Sequence, residues 1–162
     1  FGCEESTVPA LENGLSAIAS HSVQVAPQFV LSHGGVATHS SLPGHVYLDF
    51  AAPSVAPELI NLHGSAVKLL AETDGVSLSS RNPDSQFQPH LPLMQYSHLP
   101  EGVFVDAVEF ARAVAADLQI PASTRAWRLL LLRFESNAAG EDWNGGAWAA
   151  DLSWSLLDSY PL

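Results

Sequence analysis

The residues best placed to do chemistry lie in Phe87-Gln88-Pro89-His90-Leu91-Pro92-Leu93. Proline fixes its own φ and biases the residue before it towards extended backbone, so His90 is approached from an extended segment. Strand alternation then sends His90 and Pro92 to one face and Leu91 and Leu93 to the other. With apolar neighbours buried behind it, a histidine at the mouth of a strand is a candidate general acid or base near neutral pH. The competing reading is a surface histidine at a strand start. His45, Tyr47 and His98 are candidate substrate-binding residues. His98 lies in Tyr96-Ser97-His98-Leu99-Pro100, where a solvated loop is the default. Tyr47 and Tyr96 could stack on a base or ring, against a default of ordinary packing. His33, His39 and His45 recur every six residues, but zinc ligands use shorter spacings or different elements, and only Asp49 accompanies them. No metal site is expected. Neither a Gly-x-Ser-x-Gly step nor a Gly-rich phosphate loop is present, and Cys3 has no local base.

The elements that must position these residues follow from periodicity. Val8, Leu11, Leu15 and Ile18 predict a helix from about Ser6 to Ser20, weakened slightly by Gly14. Val23-Gln24-Val25 and Phe29-Val30-Leu31 read as strand around Pro27, and Ser32 to Gly44 as loop. His45 to Phe50 reads as strand, with Val46, Leu48 and Phe50 inward and His45, Tyr47 and Asp49 on the other face. A helix from Pro57 to about Glu72 carries Leu59, Leu62, Ala66 and Leu69, and Thr73-Asp74-Gly75 stops it. Ser79 to Gln86 is polar and turn-prone. A third helix runs from about Val105 to Leu118, with Val108, Ala111, Ala115 and Leu118 on one face. Trp127 to Phe134 suits a strand buried on both faces. Asn137 to Gly146 is loop, and Trp148, Ala150, Leu152, Trp154 and Leu156 alternate on a last strand. This order predicts an α+β protein, a mostly antiparallel sheet with helices packed on its outer faces.

Phe-x-Pro-His-Leu-x-Leu at residues 87–93 resembles the second signature of the two-histidine phosphoesterases, the 2′-5′ RNA ligase-like superfamily. Trp127 to Ser136, ending in Glu135-Ser136, resembles that family's strand closed by a Glu-Ser pair. The resemblance implies a pseudo-symmetric, two-lobed fold in which each half supplies one His-x-Thr/Ser motif. One histidine takes the proton from the attacking water or hydroxyl. The other protonates the leaving oxygen, and no metal or other cofactor is required. By position, His90 is one acid or base, and Pro92 stands where the family's phosphate-binding hydroxyl would be. Pro92 has neither hydroxyl nor backbone N–H. His45-Val46-Tyr47-Leu48 also lacks the hydroxyl residue and lies too close upstream to serve as the first motif. The chain opens Phe1-Gly2-Cys3, which resembles the step just after the first motif, so residues 1–162 are expected to form a single, N-terminally truncated domain. The implied function is metal-independent hydrolysis of a small nucleotide phosphodiester, 2′,3′-cyclic nucleotides among the candidates. A degenerate, non-catalytic binding module of the same fold is the alternative.

Composition narrows the partners. A chain of 162 residues, 47% hydrophobic, is long enough to bury a sizeable core. Its formal net charge is −11, and six residues are basic. A protein that grips a long nucleic acid by its phosphates needs a broad positive patch, and here only Arg125, Arg128 and Arg133 cluster. A small nucleotide therefore fits the charge better than long RNA. No apolar run approaches the roughly 18 residues that span a bilayer. The single cysteine precludes an internal disulfide and agrees with a cytoplasmic location.

Overall fold

The three amphipathic stripes become three helices in the computed structural model, which describes residues 1–39, 42–77, 87–94, 99–137 and 151–162. They are α1 (Val8–Val25), preceded by a 3-10 turn at Glu5–Thr7, α2 (Pro57–Glu72) and α3 (Glu101–Asp117). Pro9 and Pro57 occupy first helical turns, where the missing N–H has no helical partner in any case. The strands are β1 (Gly2–Cys3), β2 (Val30–Ser32), β3 (Val36–His39), β4 (Leu42–Asp49), β5 (Val76–Ser77), β6 (His90–Met94), β7 (Ser123–Arg125), β8 (Arg128–Glu135) and β9 (Ser153–Pro161). Among the described residues every strand pair is antiparallel. The chain is thus of the α+β class. No helix among the described residues is long and apolar enough to cross a membrane.

Two compact units divide the chain. The first comprises Phe1–Gln28, Leu62–Ser80 and Trp127–Leu162. Its centre is the β8–β9 ladder, running from Arg128↔Pro161 to Glu135↔Ser153. Leu131 faces Asp158 and Leu132 faces Leu156, so Leu157 is an extra residue at a bulge. α1 lies along β9 and β8, with buried Leu11 and Ala19 on its inner side and buried Leu131 and Tyr160 on the ladder. A groove of about 340 Å³ between α1 and β9 is lined by Ser16, Ser20, Val23 and Tyr160 among others. Gly14 lets α2 approach: a Cβ there would stand 2.4 Å from Leu69 Cδ1. Gly75, at φ +81, turns the chain out of α2, and a Cβ at that position would lie 2.8 Å from Thr7 Oγ1.

Phe29–Asn61 and Arg81–Ala126 form the second unit. β4 is the middle strand of the sheet β3-β4-β6, β2 pairs with β7, and α3 packs on β3 and β4 through buried Val108. Val46, Tyr47 and Leu48 are buried in succession, which a strand covered on one face only would not show.

Several sequence expectations are corrected. Val23-Gln24-Val25 is the last turn of α1, not strand, and the Ala26 N–H reaches Ser22 O at 2.8 Å. Packing of α1 along β9 outweighs the weak strand preference of valine. The expected loop from Ser32 to Gly44 contains β3, which holds its register on β4 through Val36↔Leu48 and Ala37↔Tyr47. With one large apolar residue, β3 has little local signal of its own. α3 begins earlier than its apolar period, where Phe104 N–H bonds Pro100 O, and Leu118 caps it exposed rather than facing inward. β8 is not buried on both faces: Leu130 and Phe134, with Trp154 and Leu156 of β9, remain exposed because α1 covers the other face. Tyr47 is buried rather than outward-facing. The polar stretch Ser79 to Gln86, Tyr96, His98, Gly145, Gly146, Trp148 and Ala150 lie outside the described residues.

Candidate functional site

β4 and β6 build the surroundings of His90. Asp49 pairs with His90, Leu48 with Leu91, Tyr47 with Pro92 and Val46 with Met94. The step from Pro92 to Met94 leaves Leu93 unpaired at a bulge. Phe50 N–H donates to Pro89 O at 3.0 Å, which extends the ladder one step past His90. Pro89 therefore does what its position predicts: it holds extended backbone with a carbonyl turned to β4. The leucines behind His90 do not behave as expected. Leu91 is 52% and Leu93 45% exposed. β6 is the outer strand of its sheet, and α3 is applied to β3 and β4 instead.

His90 is exposed, and its ring nitrogens are distinguishable. Nδ1 lies 2.8 Å from the Gln88 carbonyl. A carbonyl oxygen only accepts, so Nδ1 carries a proton, and in the neutral ring the lone pair is on Nε2. The imidazole is thus presented as a base through Nε2. Tyr47 packs beside it, with ring centroids 5.1 Å apart and planes tilted by 53°. Burial first, then the negative charge of Asp49, pushes the Tyr47 phenol above its ordinary value, so it remains a donor. Asp49 is itself committed: Oδ1 accepts from Ala51 N–H at 2.8 Å, and its backbone bonds Gly34 and Gly35.

The other candidates separate. His45 stands on β4 four residues before Asp49, about 13 Å of strand from the position opposite His90. The two histidines are therefore not brought together. His98 lies outside the described residues. His33 is structural: Nε2–H donates to Pro121 O at 2.9 Å, and Nδ1 accepts from Gly35 N–H at 3.1 Å. Its ring also meets Phe50 edge-on at 5.6 Å. With both nitrogens used inside the protein, the six-residue histidine spacing loses one of its three members as a ligand set. Two of the three arginines singled out above make contacts within the protein. Arg133 pairs with Glu5, while Arg128 bonds Ser159 Oγ at 2.7 Å and lies 4.8 Å over the Trp127 ring.

Sequence reasoning missed the Gln88 carbonyl as the group that sets the His90 tautomer. Its signal was present: a residue held extended before proline turns its carbonyl away from the helical path. Tyr47 as the direct neighbour of His90 had no such signal, because cross-strand register joins residues more than forty apart in sequence. Comparison of the chain with protein families, with curated proteins and with solved structures found no match.

Proposed function

We propose that this chain belongs to a metal-independent phosphodiesterase of the two-histidine type, acting on a small nucleotide phosphodiester, with His90 as one acid or base. The observation that carries the reading is the exposed His90 at the first residue of β6. Its Nδ1–H is held by Gln88, which leaves Nε2 to take a proton from water or a hydroxyl. The proposed two-lobed arrangement draws support from the division into two compact units, each pairing antiparallel strands with a helix. The −11 charge and the pairing of Arg133 with Glu5 favour a small ligand over a long nucleic acid, and the proposed location is cytoplasmic.

A second reading, a binding module of the same fold without turnover, is favoured by two observations. His45 is remote from His90, and Pro92 offers no hydroxyl or N–H to a phosphate. One experiment addresses both readings. The His90 imidazole resonances are followed by NMR during titration with 2′,3′-cyclic AMP at fixed pH, and hydrolysis is measured in the presence of chelator. Binding at His90 is expected, with any turnover lost in His90→Ala. Binding without turnover selects the second reading. Silent His90 resonances, or hydrolysis unchanged by His90→Ala, would remove His90 from the function.

A further inference from the structure

We infer that the Tyr47 hydroxyl is the phosphate anchor of this site, standing in for the hydroxyl that position 92 lacks. The inference rests on the phosphodiester reading above. Tyr47 is the direct cross-strand partner of Pro92, so its side chain arises where a donor at position 92 is missing. The residue is only 6% exposed, and its ring lies against the His90 imidazole. Among the described residues Tyr160 Oη is the one buried side-chain polar atom without a partner. The Tyr47 hydroxyl is not such an atom.

The dimensions suit a phosphoryl group. A phosphoryl oxygen accepts from the Tyr47 hydroxyl at about 2.8 Å, and the attacking water or hydroxyl at phosphorus donates to Nε2 at about 2.8 Å, so the two side-chain atoms that bracket the group stand at most roughly 8 Å apart. The Tyr47 and His90 ring centroids lie 5.1 Å apart, within that span. A phenol kept protonated donates to a phosphoryl oxygen at neutral pH without needing a charge. Tyr47 does not replace the missing second acid. Attacking and leaving oxygens lie in line through phosphorus, so acid and base approach from opposite sides, whereas Tyr47 and His90 share one side. Its role is to hold the phosphate against Nε2.

The test is an NMR titration of the full chain with 2′,3′-cyclic AMP, inorganic phosphate and adenosine, reading His90. Wild type, Tyr47→Phe, Pro92→Thr and the double variant are compared. Tyr47→Phe keeps the ring, so a thermal melt and an unchanged His90 Nδ1–H signature report an intact site. Tyr47→Phe is expected to weaken cyclic AMP and phosphate roughly ten- to hundredfold, with adenosine unaffected. Pro92→Thr is expected to recover most of that loss by returning a hydroxyl. Equal affinity in wild type and Tyr47→Phe, with His90 responding in both, overturns the anchor and leaves the phosphodiester reading standing. A loss confined to adenosine makes Tyr47 a stacking surface and also overturns it. If wild-type His90 responds to none of the three, the reading beneath falls and the anchor with it.

Discussion

Tyr160→Phe is expected to stabilise the protein at neutral pH and to flatten its alkaline instability. Tyr160 is buried, and its hydroxyl makes no well-formed hydrogen bond, although the Asp158 carboxylate lies near enough to act on it. An unsatisfied buried hydroxyl costs about 1–3 kcal/mol, so removing it while keeping the ring should raise stability by about 1 kcal/mol at pH 7. Burial first, then the Asp158 carboxylate as a hydrogen-bonding neighbour and as a charge, and last the charge of Glu12, push the phenol from its ordinary value of 10.0 up to about 12. A folded pKa above the unfolded one means that stability is fully present below pH ~10 and falls as pH rises towards ~12, because the unfolded chain sheds the proton first. Two pH units correspond to at most about 2.7 kcal/mol. The groove beside Tyr160 opens to water, so a loss of about 1–2 kcal/mol is the reasonable expectation. Urea unfolding of wild type and variant at pH 7, 9, 10.5 and 12 measures both effects. The gap in favour of the variant should widen over the last two points. A variant less stable at pH 7, or a gap that stays constant to pH 12, would show that the hydroxyl has a partner or that the phenol is solvated.

Gly14→Ala alone sets a helix-propensity gain of about 1 kcal/mol against displacement of Leu69; in a Leu69→Ala background the clash is gone and only the gain remains. A double-mutant cycle by chemical denaturation should show coupling of about 1–2 kcal/mol, and additivity within 0.5 kcal/mol would contradict the close approach of α1 and α2. His33→Ala removes the bonds to Pro121 O and from Gly35 N–H and should destabilise by about 1–2 kcal/mol in the same assay, with no effect on ligand contact at His90. Asp151 is held below its ordinary value by hydrogen bonds from Ser136 and then Asn137, so its share of stability is present above the unfolded value and is lost as pH falls through the folded one. Ser136→Ala should move the Asp151 carboxyl titration, followed by carbon-detected NMR, towards the ordinary value; an unmoved midpoint would mean that Ser136 does not bond it.

Local pattern was enough for the three helices and for the strands carrying His90 and Tyr47. Each has an apolar period, or a proline at a telling position, within a short window. Leu11 and Val108 sit buried where their stripes put them, and Pro89 hands an extended chain to His90. The α+β class followed from that order of elements. The elements that escaped are those whose conformation is decided by a partner far along the chain. β3 is strand because β4 lies beside it, and Val23 to Val25 are helical because α1 runs along β9. Leu91 is apolar yet exposed because β6 is the outer strand of its sheet, and Phe134 because α1 covers the other face of the β8–β9 ladder. The candidate site divides the same way. The sequence singled out His90, since a histidine after Phe-x-Pro can be recognised from its neighbours. The tertiary structure decided which nitrogen faces outward, that Tyr47 lies against it and that His45 does not, because register and hydrogen bonding are set between strands rather than within them.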